Sequence, residues 1–507
     1  MIREIRRRDF IVSGAGWLGS MLAARAVEEK RAKTISIFHT TDLHGHIEPT
    51  LSYDGLGDVG GIARCATQIR RWRKQFPDSI LVDVGDVYQG TPVGLQSDGR
   101  IMIDLFNRLD YDAWVIGNHD FDWGREVLEG NLQHSKAKVL TGNLRIGHKA
   151  VGQIDGAWKN VLPWTIRETA GFKIGLVGLT TPGMPFWLAP ETLGGVEVFD
   201  PAESLKQSVA ELKSENVDAI VVMGHMGWRW EEDYANPVPS LLRNIEGVDV
   251  YLAGHSHQDR ATWYEGNTIC SQASYFGIHC GRVDLTFDLE SRTLIERKAF
   301  TVRMDGRFEL DPAVMDTARP QLKEAAETLT RKVCTVKTEI PLRGEDSLRT
   351  IFCQAFASAL KRDGTEVDGV FHGTFGSGPL EAGEVTVGDC WKHLPYENLL
   401  ITVELDAREL RLILEEEDLN KSSDRVLWPF DLERNSSGEI QEIRLKGAPL
   451  KSDKRYLIAM NSYDAQSGGK SMMTLRRITQ LKSSNRQMTR IATREALIDW
   501  FLEQEII

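Results

Sequence analysis

The stretch Thr34-Ile35-Ser36-Ile37-Phe38-His39-Thr40-Thr41-Asp42-Leu43-His44-Gly45 decides how the first half of the chain reads. An apolar, largely β-branched run stops abruptly at a polar cluster holding a carboxylate, an imidazole and a glycine. The figure recurs. Runs at 79–84, 112–116, 218–223 and 248–253 lead into Gly85-Asp86, Gly117-Asn118-His119-Asp120-Phe121-Asp122, Gly224-His225 and Gly254-His255-Ser256-His257. Further runs lie at 138–140 and 172–179, and segments at 61–73 and 201–214 carry apolar residues at helical spacing. Strands alternating with helices predict an α/β layered domain with buried strands, whose functional groups gather where strands end.

Singly, each cluster says little, because a lone histidine is usually structural and an aspartate after a strand is commonly a helix cap. In order, they supply oxygen and nitrogen donors without thiolate, which suits Mn, Fe, Zn or Mg better than a structural zinc knot. The number of donors fits two ions sharing a bridge. The six cysteines (Cys65, Cys270, Cys280, Cys334, Cys353, Cys390) form no CxxC pattern. Their spacing leaves open whether Cys270–Cys280 or Cys334–Cys353 are disulfides.

The chain has 507 residues, a net charge of −12, 41% hydrophobic and 26% charged residues. That length predicts several domains, and the composition excludes a disordered or collagen-like chain. The acidic balance argues against a nucleic-acid polymer as partner, and no apolar run reaches the roughly 18 residues of a stable membrane span. At 1–26, Arg6-Arg7-Arg8-Asp9-Phe10, a mildly apolar run and Ala24-Arg25-Ala26 predict a twin-arginine signal peptide and a periplasmic or secreted protein. Removing its five basic and two acidic residues takes the net charge from −12 to −15. From about 303 the texture changes. A long helix is expected over 311–333, interrupted near Pro320, within a linker spanning 301–338. A second domain follows at 339–507, with helices at 348–362 and 407–417 and strands at 399–405 and 455–460.

The order DxH, GD, GNH, GH, GHxH resembles the calcineurin-like metallophosphoesterases. His39-Thr40-Thr41-Asp42-Leu43-His44-Gly45, Gly85-Asp86 with Gln89-Gly90-Thr91-Pro92, and Gly117-Asn118-His119-Asp120-Phe121-Asp122 are similar to the 5′-nucleotidase and UDP-sugar hydrolase family. The resemblance implies a four-layer αββα sandwich over 34–300 and a smaller α+β C-terminal domain for substrate recognition, joined by the helical linker. It implies two divalent ions (Mn, Zn or Fe), one held by Asp42, His44 and His257, the other by Asn118, His225 and His255, with Asp86 bridging. A metal-bound hydroxide would attack a small-molecule phosphate ester while His119, oriented by Asp122, stabilises charge or protonates the leaving oxygen. Asn143 matches a family position near the site, with a simple turn residue as the other reading.

The second domain departs from the family. Gly383-Glu384-Val385-Thr386 leads to Pro395-Tyr396-Glu397-Asn398, and Asn461-Ser462-Tyr463 to Gly468-Gly469, as in relatives. The glycine-rich segment at 373–380 lacks the family's arginine, however, and Lys470-Ser471-Met472-Met473 stands where an aromatic ring is expected. Phe430 is a candidate first stacking ring or an ordinary core aromatic. Lys470 is a candidate phosphate ligand or a solvated loop lysine. The implied activity is therefore hydrolysis of a nucleotide or related phosphate ester. The alternatives are a periplasmic thiosulfohydrolase on the same dimetal fold and a binding protein with a retained metal site. Metal identity and oligomeric state are not set by the sequence.

Overall fold

The computed structural model describes residues 31–374, 378–421 and 423–507. The expected export segment at 1–26 lies outside them, as do three residues of the glycine-rich segment at 373–380.

The N-terminal domain is built on two sheets whose residues alternate between cores. One sheet runs in the order Leu294–Arg303, His279–Asp288, Ala32–Thr40, Ile80–Asp83, Ala113–Val115, Lys138–Leu140, Val161–Leu162. The other runs Asp259–Glu265, Thr268–Ala273, Val250–Ala253, Ala219–His225, Phe172–Thr180, Trp164–Thr169. The period-2 geometry of a strand sends Ile35, Ile37, Ile80, Val82, Ala113 and Val115 of the first sheet against Ile174, Leu176, Val221, Met223, Val250 and Leu252 of the second. The intervening residues face outward. Phe38, Leu81 and Trp114 join the helices Ile62–Gln75 and Arg100–Arg108 in a second core. Val177, Val222 and Tyr251 join the helix Pro201–Ser214 in a third. Three cores separate four layers, helix, sheet, sheet and helix, which is why the strands are apolar on both faces.

The linker helix runs Pro312–Leu329, capped by the Asp311 side chain on the backbone N–H groups of Ala313 and Val314. Two expectations need correction. Pro320 does not interrupt the helix, and the helix stops before 333, because Lys332–Val336 is a strand paired antiparallel with Gly383–Thr386. Val314, Ala318 and Ala325 bury the linker helix against the N-terminal domain, so the polypeptide passes to the C-terminal domain at Thr330 and Arg331. That domain carries a five-stranded sheet ordered Val426–Trp428, Gly369–His372, Arg455–Asn461, Leu399–Asp406, Gln487–Ala492. Helices Leu348–Arg362 and Thr493–Gln504 cover one face, Ala407–Leu419 and Met473–Thr479 the other. All six cysteines are buried free thiols, so neither Cys270–Cys280 nor Cys334–Cys353 is bonded. No helix among the described residues is long and apolar enough to cross a membrane.

Candidate metal centre and substrate cavity

Each polar cluster sits at or just beyond a strand end, on the same rim of the two sheets. Parallel pairing aligns those ends: Thr40 lies beside Asp83, and Gly224 beside Ala253. The loops are then locked together. The Asp42 N–H donates to the Gly85 carbonyl at 2.9 Å and the His44 N–H to the Asp86 carbonyl at 2.9 Å. The buried carboxylate of Asp120 accepts from the backbone N–H groups of Asp86, Val87 and Gly117 at 3.1, 2.9 and 2.8 Å. Gly117 is needed for this approach, since a Cβ there would lie 2.2 Å from Asp86 Oδ1. Asp42, His44, Asp86, His255 and His257 all adopt positive φ, between 48° and 68°. For residues with a Cβ this conformation costs roughly 1–2 kcal/mol each, and such strain persists where surrounding structure over-determines it.

The donors converge as two triads, Asp42, His44 and His257, and Asp86, His225 and His255, within each of which the ligand atoms lie inside 4.8 Å of one another. Asp86 Oδ2 faces both, at 3.0 Å from His225 Nε2 and 3.8 Å from His44 Nε2. Asn118 Oδ1 stands 3.2 Å from His225 Nε2, on the second triad. Ring orientation tests whether this set fits cations. His44 Nδ1 lies 2.8 Å from the Gln89 carbonyl and His225 Nδ1 2.7 Å from the Val84 carbonyl. A carbonyl only accepts, so Nδ1 carries a proton in each ring; Nε2 of neutral His44 then presents a lone pair to the site, and Nε2 of His225 does so once that ring gives up its second proton. His44 Nε2 faces His257 Nε2 at 3.1 Å. Bare ring nitrogens and carboxylates aimed at one another are what divalent cations would satisfy, and the residues fit two ions.

Electrostatics agree. Burial lowers the pKa of His44 to about 4 and of His255 to about 3, keeping both neutral as ligands must be. Burial would raise that of Asp86, but His225, His119 and His44 outweigh it and hold the carboxyl well below its ordinary range. Burial likewise opposes protonation of His225, yet Asp86 lifts it to about 9.

His119 is next to Asn118 and belongs to neither triad, its ring packing edge-on against that of His44 at 5.2 Å. Its Nδ1 lies 2.7 Å from Asp122 Oδ2. Burial disfavours its charged form, but Asp122 and Asp86 prevail and raise its pKa to about 10. His119 and Asp122 open onto a cavity of about 510 Å³ whose far wall belongs to the C-terminal domain, through Tyr396, Glu397, Asn398, Ser462 and Tyr463. Tyr396 stacks on His119 with ring centroids 6.1 Å apart and planes 14° apart, and Trp187 packs on His255 at 5.0 Å.

Two sequence candidates fall outside this cavity. Phe430 is buried in the core of the C-terminal domain, where it packs on Tyr456 and against Gly369, so it is no stacking ring. The ammonium of Lys470 sits 3.8 Å from the Tyr234 ring centre and 4.2 Å from that of Phe186, a cation–π clamp across the domain boundary. It does not line the cavity. Asn143 is fully buried and bonds Thr180 from both ends of its amide, a strand-end staple. The rings that do line the cavity, Trp187, Tyr396 and Tyr463, were not singled out by sequence. Their one signal is that Tyr396 and Tyr463 lie inside family-like segments.

The calcineurin-like phosphoesterase family model matches residues 35–259, and the model of the 5′-nucleotidase C-terminal domain matches 329–477. Rat 5′-nucleotidase is 32% identical over 249 residues, covering 48% of this chain and 41% of the rat protein. Human 5′-nucleotidase is 33% identical over 230 residues, covering 44% and 38%. The chain thus matches about two-fifths of the length of these relatives. A 5′-nucleotidase precursor from Thermus thermophilus superposes with a TM-score of 0.69 at 23% identity, over 94% of this chain and 97% of that one. A sulfate thiohydrolase from the same organism superposes at 0.61 with 16% identity, over 93% and 94%, so the fold alone does not select the ester cleaved. The two family models, in tandem and in this order over most of the chain, identify it as a member of the 5′-nucleotidase family of calcineurin-like metallophosphoesterases.

Proposed function

We propose that this protein is a dinuclear-metal phosphoester hydrolase of the 5′-nucleotidase type, acting on a nucleotide or a related small phosphate ester. The observation that carries the reading is the meeting of two donor triads, joined by Asp86, with the His119–Asp122 pair at the floor of an aromatic-walled cavity. Asp42, His44 and His257 would hold one ion, and Asn118, His225 and His255 the other. When bound, such ions polarise the phosphoryl group and acidify water.

The chain's own residues supply the rest. Asp122 fixes the His119 ring through Nδ1 and leaves Nε2 as the nitrogen that can meet substrate. Protonated His119 can neutralise charge on the phosphoryl oxygens or deliver its proton to the leaving oxygen. Trp187, Tyr396 and Tyr463 offer apolar faces to the leaving group and narrow the access of water. The curated relatives are named 5′-nucleotidases, which supports a nucleotide as substrate. The Arg6-Arg7 pair and Ala24-Arg25-Ala26 support export by the twin-arginine route to the periplasm or beyond. The test is a hydrolysis screen over nucleotides, cyclic nucleotides, nucleotide sugars and an aryl phosphate, read by chromatography of the organic products together with free phosphate. Cleavage of a nucleotide supports the reading, and cleavage of none of these esters rejects it.

A further inference from the structure

The loop Gln89-Gly90-Thr91 runs along the back of His44. Thr91 Oγ1 donates to the Gly45 carbonyl at 3.0 Å, and the Gln89 carbonyl accepts from His44 Nδ1 at 2.8 Å. The contact is so close that a Cβ on Gly90 would lie 2.8 Å from the His44 carbonyl oxygen. The Gln89 side chain, 2% exposed, turns the other way and crosses to the C-terminal domain. There its Nε2 donates to Glu397 Oε2 at 2.6 Å.

Glu397 is itself fixed. Its Oε1 accepts from Arg494 Nη1 at 2.8 Å, and Arg494 is 2% exposed, bonds the Leu394 carbonyl through Nε at 2.8 Å and lies 3.3 Å over Trp391. A buried guanidinium therefore orients a carboxylate of one domain, which holds a side chain of the other, whose main chain orients a metal-facing imidazole. Loss of a group that orients a ligand imidazole typically costs about 10–100-fold in metal affinity.

We propose that Glu397 is a positioning residue: through Gln89 it lets the docked C-terminal domain set the ring of His44, so that the metal centre is fully organised only when the two domains are together. The inference rests on the dimetal reading above and concerns a contact that reading does not use.

A double-mutant cycle tests it. Metal is stripped from wild type, Glu397→Ala, Gln89→Ala and the double variant, and Mn²⁺ is titrated back calorimetrically. Turnover of an aryl phosphate is then measured for each. Each single variant should weaken Mn²⁺ binding about tenfold and lower kcat with little change in KM. The double variant should be no weaker than the worse single one, because both remove the same link. Glu397→Gln, which keeps an acceptor for Gln89, should recover most of the affinity; Glu397→Leu, which keeps the side-chain bulk without an acceptor, replaces Glu397→Ala in the cycle if that variant does not fold. Unchanged Mn²⁺ affinity in the single variants, or losses that multiply in the double variant, would overturn the proposal. Wild-type protein that takes up no Mn²⁺ would instead remove the dimetal reading beneath it.

Discussion

The Nδ1 of His119 and the Oδ2 of Asp122 stand 2.7 Å apart across a single turn of 3-10 helix that begins at His119. Asp122, together with Asp86, outweighs burial and raises the pKa of His119 to about 10, so the ring beside Asn118 carries a proton at neutral pH. His119→Ala should cut kcat by about 10²–10³ while leaving metal content unchanged. In Asp122→Asn the carboxylate that raises the His119 pKa is gone, so the alkaline limb of the pH–rate profile, where His119 loses its proton, should move to lower pH. A limb that stays in place would show that Asp122 does not act through His119.

Asp86 Oδ2 faces both triads, whereas Asp42 belongs to one. Asp86→Ala should therefore reduce tight binding of both ions, and Asp42→Ala that of one. Elemental analysis of the purified variants distinguishes these outcomes. Equal losses in the two variants would contradict the bridging role.

His225, with a pKa of about 9 in the metal-free protein, carries a proton at neutral pH that it must surrender to become a ligand. His44 and His255 are already neutral there. Metal uptake at pH 7.5 should release about one proton, and affinity should fall about tenfold per pH unit as pH drops below 9. Calorimetry in buffers of different ionisation enthalpy reads the proton count directly. A count of zero would mean that His225 binds without titrating.

Phe430 and Tyr463 should separate cleanly. Phe430→Ala empties a packed core position and should destabilise the C-terminal domain by about 3–5 kcal/mol, seen as a lower Tm, with no selective change in KM. Tyr463→Ala should leave Tm nearly unchanged and raise KM for an ester with an aromatic leaving group about tenfold. Lys470→Met, which removes the cation from the rings of Phe186 and Tyr234, should not weaken inhibition by phosphate.

These contrasts show what the sequence could disclose. The strands and their polar termini were legible because period-2 burial on both faces writes an apolar run, and the polar clusters follow it without a gap. The end of the linker helix was misjudged because Lys332-Val333-Cys334-Thr335-Val336 suits either state, and only pairing with Gly383–Thr386 makes it a strand. Phe430 was ambiguous since nothing local distinguishes a ring in a core from a ring on a cavity wall. The cavity's own aromatics come from three segments far apart in sequence, and Gln89 meets Glu397 across 308 positions. Such contacts exist only once the domains pack.

The most direct test of the central claim is phosphate release from a 5′-nucleotide by metal-free protein given stoichiometric divalent ion. Activity should appear as the second ion per chain is added and be lost in His119→Ala at equal metal content. Protein that binds two ions and cleaves neither a nucleotide nor a related phosphate ester, or that is equally active without metal, would contradict the account.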